Sequence, residues 1–332
     1  MVFVFLTEIY MDSVIFEDLR NAFGLEAAWM TAVDGGWLNR KWRVRTQRGD
    51  VLVKQFSRTR FGERQLGQIE EALVRQGIAK EAGVPCPAIL LTPDGRPMRF
   101  LRDGTVYMVM AFCEGHMETP ETVTEPQMHS LGETCGKIHR TFSQLPVTGV
   151  KGYPIDGARL IDGLRENYAA RRSDPVPSEE YRNAVCAQAP ILDALFTGFF
   201  DRLPKGIAHE DFSPDNILFG ARAVSAVLDF DRSCYSFRYH DVGRALMSLA
   251  WDRASGKPDL TKIRTFIDGY SVHMPLSTED LPDILRITWC IEAPWWIRPE
   301  FFGECSPKVA RFRDELLWLT EHWFELDRIT VP

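Results

Sequence analysis

His209, Asp211 and Asn216 stand in the stretch His-Glu-Asp-Phe-Ser-Pro-Asp-Asn, and the apolar triplet Ile217-Leu218-Phe219 follows directly. Thirteen residues past the Asn, Asp229 closes a second apolar run, Ala226-Val227-Leu228. One carboxylate can take or orient a hydroxyl proton. An amide and a second carboxylate offer oxygens suited to a hard cation such as Mg²⁺. Together these are the minimum equipment for moving a phosphoryl group from ATP, a reaction that needs positioning and charge neutralisation more than covalent chemistry. His-x-Asp alone is a common turn sequence. The whole set, with its fixed spacings and two flanking apolar strands, is far more specific.

These residues need a scaffold, and the chain reads in two parts. Residues 14–24 suggest a short helix ending at Gly24. Asp34-Gly35-Gly36 and Arg48-Gly49-Asp50 are turn signals that separate three strands, the second at 37–46 and the third at 51–56. Apolar positions Leu66, Ile69, Leu73 and Ala79 predict a helix over 63–82, with Gly83 as its C-terminal stop. Strands follow at 88–91 and 106–112. Beyond Glu114-Gly115 the texture turns helical, with helices expected at 125–143, 179–201, 239–252, 261–273, 279–297 and 308–327. The one sheet-like interruption there is the block 207–231. The fold class is α+β: a five-stranded antiparallel N-terminal lobe over 1–113, then a mainly helical lobe over 114–332.

Composition bounds the function. At 45% hydrophobic and 26% charged the chain is an ordinary globular one, and its net charge of −7 argues against a nucleic-acid partner. Residues 1–113 carry a net +2 and residues 114–332 a net −9. That division suits an anionic nucleotide in the first part and a cationic acceptor in the second, or is ordinary surface variation. Seven scattered cysteines without Cys-x-x-Cys read as reduced thiols of a cytoplasmic protein. The apolar start, Met1 to Leu6, is too short for a secretory signal, and no run reaches membrane-spanning length.

His-x-Asp-x-x-x-x-Asn followed by Asp229-Phe230-Asp231 resembles the aminoglycoside phosphotransferase family. That broad group with a protein-kinase-like fold also holds homoserine, choline and methylthioribose kinases, CotS-type coat proteins and the stress-response kinase SrkA. The likeness runs from about residue 25 to 250. It implies Asp211 as catalytic base and Asn216 and Asp229 as Mg²⁺ ligands, with Asp231 a further candidate. Lys54, aimed inward from an alternating strand, would grip the ATP phosphates and pair with a helical glutamate, Glu70 ahead of Glu71 and Glu63. Gly35 and Gly36, with Asn39, resemble the family's glycine turn over the phosphates. Met110 to Gly115 resembles the connector where the backbone of Phe112 and Cys113 would meet adenine. His209, His139 and Asp241 read as structural, Asp241 as a brace for the catalytic loop. Gly132 to Lys137 imitates a phosphate loop but is one residue too short and lies in a helical pattern.

Ser213 stands where eukaryotic-type protein kinases place a Lys, and no Asp-Phe-Gly occurs. Both facts favour a small-molecule hydroxyl acceptor, an aminoglycoside, amino alcohol, homoserine or sugar-like compound, over a protein. Glu292, Trp295 and Trp296, with Glu300 and Glu304, offer aromatic faces and carboxylates to a cationic amine. Packing of the last helices is the alternative for the tryptophans. An SrkA-like protein kinase and a silent CotS-like binding protein are the competing readings.

Overall fold

The computed structural model describes residues 14–33, 39–173, 178–252, 257–329 and 331. The expected glycine turn at Gly35 and Gly36 lies outside them. The chain divides into two compact units, Met1–Glu114 and Gly115–Pro332.

The first unit is built on an antiparallel sheet. Its strands are β1 (Ala27–Ala32), β2 (Arg40–Thr46), β3 (Gly49–Phe56), β4 (Ile89–Leu90), β5 (Arg99–Phe100) and β6 (Val106–Ala111). The order is β1-β2-β3-β6-β4, with β5 also paired to β6. The sheet thus has six strands rather than the expected five. The extra one, β5, has two residues and cannot display an alternating pattern.

Alternation along β3 and β6 splits the core in two. Val51, Val53, Tyr107 and Val109 pack with Ile15 and Leu19 of helix α1 (14–23). Phe56, Val106, Met108 and Met110 pack with Leu66, Ile69 and Leu73 of helix α2 (Glu63–Glu81). Lys54 follows the same alternation onto the α2 face, opposite Lys41 and Met108. Helix α2 opens with Gln65 Oε1 accepting from the Gly62 N–H at 2.9 Å. It stops at Gly83, whose φ of +80° lets Val84 N–H reach back to the Ala79 carbonyl.

The second unit is mostly helical. Helix α3 (Glu125–Phe142) lies against α9 (Leu260–Ser271), and glycines set their distance. A Cβ at Gly132 would collide with the Phe266 carbonyl, and one at Gly136 with the Tyr270 carbonyl. The glycines of the false phosphate loop therefore serve close helix packing.

Helix α4 (Gly157–Arg172) is capped by Asp156, which accepts from Ala158 and Arg159 N–H. The single helix expected over 179–201 is three: α5 (Glu179–Cys186), α6 (Ala189–Ala194) and α7 (Thr197–Arg202). Pro190 can start a helix but not continue one, and Leu195-Phe196 is extended. Two small antiparallel ladders carry the loop motif: β7 (Lys205–Ala208) pairs with β10 (Cys234–Phe237), and the hairpin of β8 (Ile217–Phe219) and β9 (Val224–Val227) lies between them in sequence. Helices α8 (Arg238–Leu249), α10 (Leu281–Trp296) and α11 (Pro307–His322) complete the unit. Among the described residues no helix is long and apolar enough to cross a membrane.

Candidate active site

Strand β7 ends at Ala208 and releases His209, Glu210 and Asp211 into a loop that the neighbouring elements hold tightly. The backbone N–H groups of His209 and Glu210 donate to the two carboxylate oxygens of Asp241, at 2.7 and 2.8 Å. His139 Nε2 adds a third contact to Asp241 at 3.0 Å, and its Nδ1 meets the Tyr270 hydroxyl at 2.8 Å. Burial alone would raise the Asp241 pKa, but the hydrogen bond from His139 and the charge on His240 outweigh it and hold it at about 2. An ionised carboxylate is what two buried N–H donors need, so Asp241 braces the loop. Glu210 sits at φ +65°, a left-handed conformation costly for a residue with a Cβ.

His209 is fully buried, and burial depresses its pKa and keeps the ring neutral. Nε2 donates to the Leu228 carbonyl at 3.0 Å, which leaves Nδ1 to accept from the Asp211 N–H at 3.2 Å. His209 thus ties the loop to the end of β9 and is spent as a structural group.

Pairing of β8 with β9 explains the thirteen-residue spacing. Ile217 lies opposite Val227, and Leu228 N–H donates to the Asn216 carbonyl at 2.8 Å. Asn216 is thereby brought beside the turn that carries Asp229, itself left-handed at φ +59°. The Asn216 amide donates to the Asp211 carbonyl at 2.9 Å, so its nitrogen is occupied and its oxygen is the end left for a cation. An amide oxygen and a carboxylate on one hairpin are a donor set that fits Mg²⁺.

The Asp211 side chain is 23% exposed, and its Oδ1 accepts from Arg244 Nη2 at 3.1 Å. Arg244, one turn beyond His240 on α8, also donates through Nη1 to Glu292 at 2.5 Å. His240 joins Glu292 at 2.8 Å through Nε2 and Glu210 at 3.0 Å through Nδ1. Burial opposes charge on His240, but Glu210 and Glu292 outweigh it and push its pKa up to about 10. Glu292 is likewise driven well below the carboxylate range by Arg244 and His240 against its own burial. Glu210, His240 and Asp241 bring ligand atoms within 4.8 Å of one another, yet those atoms already serve this network.

The expected acceptor residues are placed as follows. Glu292 is buried, and both its oxygens are engaged, the second also by Trp296 Nε1 at 2.6 Å. Trp296 stacks on Phe312 at 4.5 Å, whereas Trp295 is 56% exposed. Arg244 and His240 were missed because a polar pair inside an apolar helix shows its partners only in three dimensions. Their i, i+4 spacing was the available signal.

In the first unit, Lys54 is buried at 2% exposure with its Nζ 5.4 Å from the Phe56 ring. Glu70 forms a two-pronged ion pair with Arg96, at 2.8 and 2.7 Å. Phe112 N–H donates to the Asp50 carbonyl at 3.1 Å, and its ring lies 4.2 Å under the Arg43 guanidinium. Cys113 is half-buried.

Solved structures share this architecture and assign it a kinase-like fold. An amicoumacin kinase bound to AMP-PNP and Ca²⁺ matches with a TM-score of 0.65 at 14% identity, over 94% of this chain and 95% of that one. A spectinomycin phosphotransferase bound to ADP matches with a TM-score of 0.65 at 12% identity, over 96% and 98%. The sequence model of the Phosphotransferase enzyme family matches residues 29–276, and the chain belongs to that family. Among curated relatives, a homoserine kinase of Afipia carboxidovorans is 27% identical over 195 residues, 59% of this chain and 56% of that protein. The chain therefore spans little more than half the length of that relative. A homoserine kinase of Methylobacillus flagellatus is 24% identical over 275 residues, 78% and 76% of the two chains.

Proposed function

We propose that this protein transfers the γ-phosphoryl group of ATP to a hydroxyl of a small molecule, with Asp211 as the base. The observation that carries this reading is the presentation of Asp211. A partly exposed carboxylate stands on a loop whose backbone, neighbours and histidine are all immobilised. In the reaction the acceptor oxygen attacks the γ-phosphorus, and its proton passes to Asp211. The bond from that phosphorus to the β–γ bridging oxygen breaks, and ADP leaves with the electron pair. Asn216 and Asp229 would hold Mg²⁺, which neutralises phosphate charge when bound. Lys54 would contribute its charge to the phosphates.

Two carboxylates of the second unit are engaged by cations or donors. Glu292 serves Arg244, His240 and Trp296, and Asp215 is held by Lys308 and Arg311, each at 3.1 Å. A polycationic aminoglycoside needs carboxylates without such cations beside them. The site therefore favours a compact hydroxylated amino acid or amino alcohol, in keeping with the homoserine kinase relatives.

The test is Mg-ATP turnover against homoserine, amino alcohols, sugars and aminoglycosides. Asp211→Asn should lower kcat by at least about 100-fold, the scale of general-base catalysis. Full turnover in that variant removes Asp211 from the mechanism. A best substrate among the aminoglycosides overturns the acceptor class.

A further inference from the structure

We infer that Arg244 is the positioning residue for Asp211, with Glu292 on α10 as the anchor that aims it. The inference rests on the reading of Asp211 as the base. Arg244 divides its fork between two carboxylates of different character. Nη1 goes to buried Glu292 at 2.5 Å, and Nη2 goes to partly exposed Asp211 Oδ1 at 3.1 Å. The guanidinium is planar, so fixing one arm sets the direction of the other.

Glu292 is itself immobile. His240 takes its Oε1 at 2.8 Å, and Trp296 and Arg244 share its Oε2. The Arg244 guanidinium lies 5.0 Å over the Phe312 ring, on which Trp296 stacks. The group therefore cannot slide sideways. His240 also grips Glu210, so both consecutive loop acids are tied to α8 by their side chains. With Oδ1 held by Arg244, Oδ2 is the oxygen presented to the acceptor hydroxyl. Lysine cannot replace this, because one ammonium on a flexible stem does not span two carboxylates in fixed directions.

A buried pair broken on one side unfolds proteins, so the decisive variant removes both charges. Arg244→Met with Glu292→Gln leaves no unpaired arginine, but the amide turns an N–H₂ toward His240 or Trp296, which use separate oxygens of Glu292. Its thermal midpoint should fall while the protein stays folded at the assay temperature. Its kcat should fall by about 100-fold with KM for ATP within about twofold, the size expected when a catalytic group drifts by about 1 Å. Arg244→Lys, which keeps the charge, should lose a comparable part of kcat. In an Asp211→Asn background the Arg244→Met, Glu292→Gln pair should add little further loss, because the group it positions is gone. Wild-type kcat in the folded double variant, or a raised KM for ATP with kcat intact, overturns the positioning role even if Asp211→Asn is inactive. Wild-type turnover in Asp211→Asn overturns the parent reading instead.

Discussion

Asp211, Asn216 and Asp229 gain their meaning from what holds them. Asn216 is locked by the hydrogen bond its side-chain N–H donates to the Asp211 carbonyl and by the Leu228 N–H on its own carbonyl. Asn216→Ala should leave the fold near wild type and raise the Mg²⁺ concentration for half-maximal turnover by about tenfold or more, as loss of one oxygen ligand implies. A Mg²⁺ titration at saturating ATP measures this, and an unchanged midpoint would remove Asn216 from the cation site. Asp241 differs in kind, since it accepts two backbone N–H bonds and one from His139 in full burial. Asp241→Asn turns an N–H₂ toward donors and should cost about 3–5 kcal/mol, the penalty for breaking a buried charged network. Chemical denaturation would report it, and a loss under about 1 kcal/mol would show that the brace is dispensable.

Among the elements, the contact of α8 with α10 is the one that assembles the charged network. Gly243 permits it: a Cβ there would collide with the Thr288 side chain and press on the Ile284 carbonyl. Arg244 is the next residue on α8, and Glu292 stands one turn past Thr288 on α10. Gly243→Ala should force the helices apart, destabilise the protein by about 1–3 kcal/mol and lower kcat as well. Crystal structures or denaturation curves of the variant would check the first effect, and steady-state kinetics the second. A silent Gly243→Ala would mean that the helix spacing is not set here.

At the scale of the whole molecule, the buried charges make stability depend on pH. The folded pKa of His240, about 10, lies above its ordinary value of 6.5. Its contribution is therefore fully present below pH 6.5 and is lost as pH rises toward 10. Asp241 runs the opposite way, folded near 2 against an ordinary 3.8, so its contribution is present above 3.8 and fades as pH falls toward 2. Unfolding free energy should decline on the alkaline side from about pH 7 to 10, and His240→Gln should flatten that decline. A wild-type profile flat to pH 10 would contradict a charged His240. The overall charge of −7 adds a milder repulsion that also grows with pH.

Local events could be read from the order of residues. Two-residue alternation in Val51-Leu52-Val53-Lys54 set a strand and the face of Lys54, because side chains on a strand point to opposite sides. Helical spacing in 63–82 and Gly83 set α2 and its end. The spacing of Asp211, Asn216 and Asp229 announced the loop, since the β8–β9 hairpin brings Asn216 beside Asp229 and the Asn216 amide bonds the Asp211 carbonyl. Short strands such as Arg99–Phe100 and the breaks inside 179–201 were beyond it, because two residues carry no period and a proline can open a helix as well as end one. Only the tertiary structure decided the partners of the buried charges. Glu292, expected as an acceptor contact, is hydrogen-bonded to Arg244, 48 residues away. Glu70, expected as the partner of Lys54, forms an ion pair with Arg96. Ion pairs obey distance in space, and distance in space is set by helix packing that residue spacing does not encode.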